Sequence, residues 1–272
     1  MSSVIMGIVN ATPDSFSDGG RYLDADAAIA HGLSLAASGA HIIDIGGEST
    51  RPGAVRVDLP EEQARVLPVI SALAAHGVAV SIDTMNASTA AAAVDAGARY
   101  VNDVSGGLAD PEMLAAVASG SADLILGHWR GPSDEMYARA EYSDLAREVT
   151  VELGERVRAA AAAGISPDRL ILDPGIGFGK TPEQSWTTLH HLSRIRALGY
   201  RVLVGTSRKR FLTTALDADA NEERRDLATA VTSVLAVQSG AWGVRVHNVA
   251  ATRDALAVVD AWNEAGESTW TT

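Results

Sequence analysis

The sequence predicts an α/β protein that folds as one closed (β/α)8 barrel, a TIM barrel. The chain has 272 residues, a length at which such barrels commonly form a single domain. Its apolar fraction is 47% and its charged fraction 21%, so it can bury a large core. Eight short runs rich in Val and Ile alternate with eight longer segments of helical periodicity. We therefore expect one domain over residues 1–265 and a frayed tail over 266–272, with an open doubly wound sheet as the alternative.

The predicted strands and helices alternate along the whole chain. Strands are expected near residues 4–10, 41–46, 78–84, 100–105, 122–129, 170–174, 202–207 and 243–248. Helices are expected near residues 24–38, 61–75, 88–96, 110–119, 143–163, 183–198, 224–239 and 250–264. Near-continuous apolar strands joined by helices indicate a parallel sheet buried on both faces. Asp110-Pro111 and Thr181-Pro182 resemble helix starts, with a capping side chain followed by Pro in the first turn.

Charge and cysteine content exclude several classes of protein. The chain carries 22 Lys and Arg against 34 Asp and Glu, a net charge of −12. This balance argues against nucleic-acid partners and anionic membranes, although a local group of cations can still bind a small anionic substrate. Cysteine is absent, which excludes disulfides, thiolate metal sites and a Cys nucleophile. We find no secretory signal and no membrane-length apolar run, so a cytoplasmic location is expected.

Polar residues close every predicted strand. The carboxyl ends of barrel strands form the mouth at which barrel enzymes place their active sites. The residues at these ends are Asn10, Asp44, Asp83, Asn102 with Asp103, His128, Asp173, Ser207 with Lys209, and Arg245 with His247. A single such residue could merely cap the next helix, but eight converging ends predict a functional site.

Cations gather after the last two predicted strands, where barrel enzymes often bind phosphate. The segment 207–210 contains three basic residues, and Arg245 and His247 lie two positions apart on one strand face. We favour anion binding over a solvated basic rim. The glycine-rich segment 175–181 is not a Walker motif, because Pro174 occupies the place of its first Gly. His190-His191 lies mid-helix without a metal motif and is interpreted as surface.

The only kind of metal site that the sequence favours is one for a weakly held divalent ion. A permanent zinc site is not predicted. A magnesium ion held by Asn10 or an acid, together with substrate phosphates, is compatible with the sequence because Mg²⁺ uses few protein ligands and favours phosphate oxygens. The loops 11–20 and 46–53 are long and rich in Gly and Pro, which suits either active-site lids or ordinary turns.

Seven ordered motifs carry a resemblance that spans nearly the whole chain. They lie at residues 6–20, 44–53, 81–84, 102–106, 172–180, 207–211 and 244–247. With these motifs the chain resembles the dihydropteroate synthase family of pterin-binding barrels. The resemblance implies a transferase of folate (tetrahydrofolate) biosynthesis that is a sulfonamide target. Such an enzyme uses 4-aminobenzoate to displace pyrophosphate from (7,8-dihydropterin-6-yl)methyl diphosphate, with Mg²⁺ assisting. The family is typically dimeric, so we expect a homodimer.

The resemblance also implies roles for individual residues. The pterin would be bound by Asp83, Asn102, Asp173 and Lys209. The diphosphate would be bound by Asn10, Arg245 and His247, with Asn10 also a metal ligand. The 4-aminobenzoate site and its closing loops would use Asp14, Phe16, Thr50, Arg51, Pro52, Phe178 and Ser207. Catalysis would depend on Lys209, Arg245, His247 and Asp83.

Two positions depart from the family pattern. Gly127 stands where the family commonly has a Met that packs against the pterin, so a looser pocket is expected. Asn248 stands where an Asp is usual, and we expect it to act as a helix N-cap. Two alternatives to the synthase therefore stay open: a non-catalytic pterin-binding paralogue, and a methyltetrahydrofolate-dependent corrinoid methyltransferase. The second is disfavoured because its substrate has no diphosphate for the predicted anion site.

Overall fold

The structure, a computed structural model, describes residues 3–11, 21–48, 57–132, 140–217 and 219–267. The strands are β1 Val4–Asn10, β2 Ile42–Gly46, β3 Val80–Asp83, β4 Tyr100–Asp103, β5 Asp123–Gly127, β6 Leu170–Asp173, β7 Arg201–Val204 and β8 Gly243–Val246. The helices are α1 Arg21–Ala37, α2 Leu59–Ala75, α3 Ala87–Asp95, α4 Met113–Ser119, α5 Leu145–Ala162, α6 Pro182–His190, α7 Leu192–Arg196, α8 Glu222–Gln238 and α9 Val249–Glu267. In the described part of the chain, 3-10 turns lie at Pro167–Arg169 and Arg210–Thr214.

The eight strands form a closed parallel barrel in chain order. Closure is explicit at β1, which pairs in parallel with β2 on one side and with β8 on the other. The barrel prediction is therefore confirmed, and the open doubly wound sheet is excluded. Among the described residues, none of the helices is both long enough and apolar enough to cross a membrane.

The core divides into a small cluster inside the barrel and a larger one between the strands and the helices. The inner cluster consists of Met6, Ile42, Ile125, Ile171 and Leu203. Successive strand residues point to opposite faces, so positions two or four residues further along share the inner face. These positions include Asn10, Asp44, Gly127, Asp173 and Gly205. The apolar plug thus fills the barrel below a polar layer at the carboxyl ends of the strands.

Several predicted element ends shift for identifiable reasons. The Thr181 start is confirmed, because Thr181 and Gln184 form a reciprocal capping box at α6. The Asp110-Pro111 start is wrong: α4 begins at Met113, and the Asp110 carboxylate accepts from the backbone N–H groups of Glu112 and Ala87 instead. The predicted helix over 183–198 is interrupted at His191. Helix α9 continues to Glu267, into the segment predicted as tail.

Candidate active site

Four strands contribute to one connected polar cluster inside the mouth. The Arg245 guanidinium donates through Nε to Asp44 Oδ2 at 2.5 Å and through Nη2 to Asp83 Oδ2 at 2.6 Å. Asn102 Nδ2 donates to the same Asp44 oxygen at 3.0 Å. The other oxygen of Asp44, Oδ1, is buried and has no hydrogen-bond partner among the described residues. The cluster thus unites side chains from β2, β3, β4 and β8, three of which the sequence analysis placed in the substrate site.

Burial sets the electrostatics of this cluster. It raises the pKa of Asp83 to about 7, against the opposing attraction of the Arg245 cation. Burial alone would lower the pKa of Arg245, but Asp44 and Asp83 outweigh it and the pKa is raised. Arg245 therefore remains a cation at every physiological pH. The neighbouring carboxylates hold its guanidinium in a fixed orientation, which prepares it for binding an anion.

Asp173 and Lys209 face the same mouth from β6 and the loop after β7. Asp173 Oδ1 accepts from the backbone N–H of Gly175 at 2.7 Å. Burial raises the pKa of Asp173, while the positive charges of Lys209 and Arg245 oppose that rise. Burial also lowers the pKa of Lys209 to about 8. A Cβ atom on Gly205 would lie 3.8 Å from both Lys209 Nζ and Arg245 Cβ. The structure thus brings together the acid and the two cations.

Ser207 and His247 form a second polar pair, after β7 and β8. The Ser207 hydroxyl and His247 Nδ1 lie 2.9 Å apart, and the His247 backbone N–H donates to the same hydroxyl at 3.1 Å. Phe178 lies beside Lys209, whose Nζ is 4.7 Å from the centroid of the phenyl ring. Five other predicted site residues lie outside the described residues: Asp14, Phe16, Thr50, Arg51 and Pro52.

Arg208 does not belong to the mouth. Its backbone φ is +56°, and its guanidinium donates to both carboxylate oxygens of Asp226 at 2.7 and 2.9 Å. Arg208 therefore pairs with a carboxylate on helix α8 and does not join the predicted anion-binding cluster. Asn248 also donates to Asp226, and its Oδ1 accepts from the Ala251 backbone N–H at 3.0 Å. The predicted N-cap role of Asn248 is confirmed.

Two buried residues received no specific role in the sequence analysis. Asp44, at 0% exposure, holds both Arg245 and Asn102, and its place at a strand end was the available signal. Lys180, at 1% exposure, binds His128 from the loop after β6. Its place at the end of the 172–180 motif was the available signal, but no local pattern shows that this lysine is buried.

Gly127 is enclosed by main chain. A Cβ atom at this position would lie 2.4 Å from the Val104 carbonyl oxygen and 2.6 Å from the Val104 Cα. The turn after β4 therefore occupies the space beside Gly127, and it can do so because Gly127 has no side chain. The space next to the glycine is thus filled by main chain. The predicted loosening of the pterin pocket concerns the bound substrate and stays a prediction.

Substituting Gly127→Ala is expected to destabilise the fold by about 1–3 kcal/mol, because the added methyl group collides with backbone rather than with a flexible side chain. Thermal unfolding measures the effect. Gly154→Ala is the matched control. Gly154 lies inside α5, the nearest atom to its Cβ among the described residues would be Arg158 Nη1 at 3.7 Å, and alanine favours helix. We expect the control to be neutral or stabilising. Equal melting temperatures for the two variants would contradict the enclosure of Gly127.

The donor chemistry at the mouth suits a loosely held hard cation. The described part of the chain contains no group of three or more His, Asp or Glu side chains arranged to hold a metal ion. Asn10 Oδ1 and the Asp83 Cβ both lie within 4 Å of the Cβ position of Gly46, which brings two oxygen-bearing side chains together. Such a set fits Mg²⁺, which keeps waters and takes phosphate oxygens, and does not fit a structural zinc.

Comparison with known proteins decides the family. A profile of the family described as pterin binding enzymes matches residues 6–247. The dihydropteroate synthase of Mycobacterium leprae is 51% identical over 267 residues, which cover 96% of this chain and 94% of that protein. The chain belongs to the dihydropteroate synthase family. The synthase of Bacillus subtilis is 44% identical over 248 residues, covering 91% of this chain and 84% of that protein.

Solved dihydropteroate synthases share the fold of this family member. The Xanthomonas albilineans enzyme with 4-aminobenzoic acid superposes with a TM-score of 0.89 at 45% identity, covering 98% of this chain and 94% of that one. The same enzyme in complex with 7,8-dihydropteroate gives a TM-score of 0.86 at 42% identity, covering 98% and 95%. A Yersinia pestis dihydropteroate synthase with a sulfonamide drug complex gives 0.89 at 37% identity, covering 96% and 94%.

Proposed function

We propose that this chain is a dihydropteroate synthase that condenses (7,8-dihydropterin-6-yl)methyl diphosphate with 4-aminobenzoate and releases pyrophosphate in folate biosynthesis. The amine nitrogen forms a bond to the methylene carbon, the carbon–oxygen bond to the diphosphate breaks, and the amine loses one proton. The observation that carries the proposal is the convergence of Asp173, Lys209 and Arg245 on one mouth. The relatives that bind 4-aminobenzoate and dihydropteroate on the same fold support it.

The proposed pterin pocket pairs polar edges with complementary groups. A pterin carries a flat guanidine-like edge that donates two parallel hydrogen bonds, and a carboxylate such as Asp173 accepts both. Asn102 can donate and accept, which suits the mixed edge of the ring. Lys209 would donate to the pterin carbonyl and ring nitrogen, and Asp83 would add an acceptor. Burial strengthens these bonds because the surroundings are less polar than water.

The proposed catalytic contribution is stabilisation of the departing diphosphate. Cleavage of the carbon–oxygen bond beside an electron-rich ring leaves a cation-like carbon, so the reaction needs leaving-group stabilisation more than a strong base. Arg245 keeps further N–H donors beyond the two that bind Asp44 and Asp83, and these can bind phosphate oxygens. His247 stands beside it on the strand face continued from β8.

Magnesium is proposed as the metal cofactor. Asn10 is the proposed protein ligand, and diphosphate oxygens and water would complete the coordination of the ion. When bound, the ion supplies charge neutralisation to the leaving group. The residues of the chain would orient the diphosphate, and Asp44 Oδ1, for which the described part of the chain supplies no partner, offers a buried hydrogen-bond acceptor in the same layer.

The second substrate is proposed to bind between Phe178, Ser207 and the first two loops. An aromatic ring packs favourably against another ring face or a proline, and Phe178 with Pro52 offers that pair. Thr50 is assigned to the same site, with Asp14, Phe16 and Arg51 closing over the substrates. Sulfonamides would compete there, as suggested by the drug complex of the Yersinia pestis relative. The cytoplasmic location remains a prediction of the sequence.

The test of function is an assay of pyrophosphate release with both substrates, with Mg²⁺ present and after its removal by a chelator. We expect release only with both substrates, a strong decrease on chelation and recovery when Mg²⁺ is restored. Tight pterin binding without release would instead identify a non-catalytic paralogue. Methyl transfer from methyltetrahydrofolate to a corrinoid would identify the third candidate, whose substrate leaves the proposed anion site without a ligand.

The oligomeric state is proposed to be a homodimer. Helix α8 exposes a row of apolar side chains at i, i+4 and i+8, and the adjacent helix α9 exposes a second row. They are Leu227 at 66%, Val231 at 52% and Leu235 at 46% on α8, with Val258 at 70% and Trp262 at 78% on α9. Contiguous exposed apolar surface of this kind indicates a contact with another protein. A second copy is the proposed occupant, because two-fold dimers are the commonest soluble oligomers.

Val231→Asp is expected to shift the protein from dimer to monomer, because it places a charge in the centre of the proposed interface. Light scattering coupled to size-exclusion chromatography measures the mass. Val151→Asp is the matched control, since Val151 is exposed to 49% on helix α5, outside the α8–α9 surface. A monomeric wild-type protein, or dimers of both variants, would overturn the proposal.

A further inference from the structure

The loop between β6 and α6, here called the glycine loop and spanning residues 174–181, has an irregular backbone. Gly175, Gly177 and Gly179 adopt φ values of +63°, +79° and +57°, a region that glycine enters at little cost. Residues in such a loop cannot pair their carbonyl groups in a regular ladder, so buried carbonyl groups need other donors. The conformation of this loop therefore depends on side chains that reach it from elsewhere.

Side-chain donors bind four carbonyl groups of the glycine loop, those of residues 175, 176, 178 and 179. The bonds are Lys180 Nζ to Gly175 O at 3.0 Å and to Phe178 O at 3.1 Å, Lys209 Nζ to Ile176 O at 2.5 Å, and Tyr142 Oη to Gly179 O at 2.8 Å. Lys180 accounts for two of them and is the most deeply buried lysine, at 1% exposure. Its ammonium group is therefore the main internal support of the loop.

The third donor of Lys180 is directed by a short relay. Lys180 Nζ lies 2.8 Å from His128 Nδ1, and His128 Nε2 lies 3.0 Å from Glu152 Oε2. Burial and the Lys180 charge lower the pKa of His128 to about 4. Burial would raise the pKa of Glu152, but hydrogen bonds from His128 and Arg130 outweigh it and lower the pKa to about 2. A neutral imidazole beside a carboxylate places its proton on Nε2, so Nδ1 must accept from Lys180.

The glycine loop in turn positions both substrate-facing groups on this side of the mouth. Its Ile176 carbonyl accepts from Lys209, and its Phe178 ring stands 4.7 Å from the same ammonium group. We propose that Lys180 is a positioning residue for the aromatic amine substrate, holding the glycine loop so that Phe178 and Lys209 are correctly placed, and that Glu152 orients Lys180 through His128. The inference rests on the proposed function, because it assigns Phe178 to the 4-aminobenzoate site.

Protonation of Lys180 gives the proposal a distinctive pH dependence. The charged groups that act on it are Asp173, Lys209, Glu152 and Arg130, and burial lowers its pKa to about 7. A neutral amine has two N–H donors for three acceptors, of which two are loop carbonyl groups and the third is His128 Nδ1. As pH rises through that pKa, the loop therefore competes with His128 for the remaining donors and its support weakens. The KM for 4-aminobenzoate should therefore increase on the alkaline side. Glu152 raises the pKa of Lys180, so Glu152→Gln should move this increase to lower pH.

The central experiment compares Lys180→Met with wild type in steady-state kinetics. We expect the KM for 4-aminobenzoate to rise roughly tenfold or more. The KM for the pterin diphosphate should rise less, because Asp83 and Asn102 of the proposed pterin pocket lie on β3 and β4 and do not depend on the glycine loop. Arg194→Met, which removes an exposed cation from α7, is the control and should leave both constants unchanged. Hydrogen exchange of the free protein adds a readout without turnover: backbone amides of residues 175–181 should exchange faster in Lys180→Met than in wild type.

Chemical rescue separates the ammonium group from the bulk of the side chain. The chain contains no cysteine, so Lys180→Cys offers a single thiol for alkylation with 2-bromoethylamine in denaturant, followed by refolding. The product restores an ammonium group at nearly the original length. We expect it to recover the low KM for 4-aminobenzoate, whereas alkylation with a neutral reagent of similar size should not.

The outcomes distinguish this inference from the proposed function. If wild type releases no pyrophosphate, the proposed function fails, and exchange of the glycine loop still tests the structural role. If wild type is active while Lys180→Met keeps its 4-aminobenzoate KM and its exchange rates, the positioning role is overturned. If Lys180→Met does not fold, the pH profile of Glu152→Gln decides, and an unshifted profile overturns the relay.

Discussion

Asp173→Asn is expected to weaken pterin binding by about 3 kcal/mol, roughly a hundredfold or more in Kd, with turnover decreasing accordingly. One oxygen of Asp173 already accepts from the Gly175 backbone N–H. In the variant the amide oxygen keeps that bond, so the amide NH2 group faces the donors of the pterin edge. Donor then opposes donor, and the charge is lost. Isothermal titration with a dihydropterin measures the change directly.

The same substitution should not reduce stability, which separates a binding effect from a folding effect. Burial raises the pKa of Asp173, so the folded state binds its proton more tightly than the unfolded chain does. The ionised carboxylate therefore costs stability, and this cost appears as pH rises above the ordinary carboxyl range. A neutral amide avoids it, and we expect an equal or higher melting temperature. Asp168→Asn, in the exposed turn before β6, is the control and should bind pterin normally. Normal binding by Asp173→Asn would refute the assigned pocket.

The barrel was predictable because its signals are local. Apolar runs and helical periodicity recur along the chain and predict eight strands and their helices. A closed barrel is the arrangement that pairs the eighth strand with the first. The break at His191 was not predictable, since no Gly or Pro marks it. The break precedes Leu192 and Ile195, which are buried at 0% and 3% exposure. The burial of these two side chains depends on tertiary packing and not on a local sequence signal.

The site was predictable where strand periodicity alone fixes the face of the sheet to which a side chain points. The spacing of Arg245 and His247 places both on the inner face, and the structure agrees for Arg245, which binds Asp44 inside the mouth. Partnerships between distant residues were beyond local reasoning. Asp44 and Arg245 are 201 positions apart, and Lys180 and His128 are 52 apart. A lysine in a polar, glycine-rich segment is ordinarily solvated, so only the folded chain reveals that Lys180 is buried.

Arg245→Met is expected to damage both turnover and stability. It removes the only cation shown to bridge Asp44 and Asp83 among the described residues, leaving two buried carboxylates side by side. Breaking a buried ion pair from one side typically costs about 3–5 kcal/mol. Loss of an anion-stabilising donor lowers kcat by a factor on the order of a hundred or more. Thermal unfolding and the pyrophosphate assay measure the two effects separately.

The pH dependence of the stability loss follows from the sign of the Asp83 shift. The pKa of Asp83 is already raised to about 7, and removal of Arg245 raises it further. A folded-state pKa above the unfolded value means that the folded state retains the proton, so stability falls as pH rises through this window. The deficit of Arg245→Met relative to wild type should therefore be larger at pH 8 than at pH 5.

A second substitution separates the structural role of Arg245 from its catalytic role. Adding Asp44→Asn to Arg245→Met removes one of the two unpaired charges, so the double variant should regain much of the lost stability. It should regain no turnover, because the Arg245 donors that face the diphosphate are still missing. Arg224→Met, which breaks an exposed pair with Asp217, is the control and should change stability by at most about 0.5 kcal/mol. Recovery of turnover in the double variant would mean that Arg245 acts only by neutralising Asp44 and Asp83, and that the leaving group is stabilised by other residues.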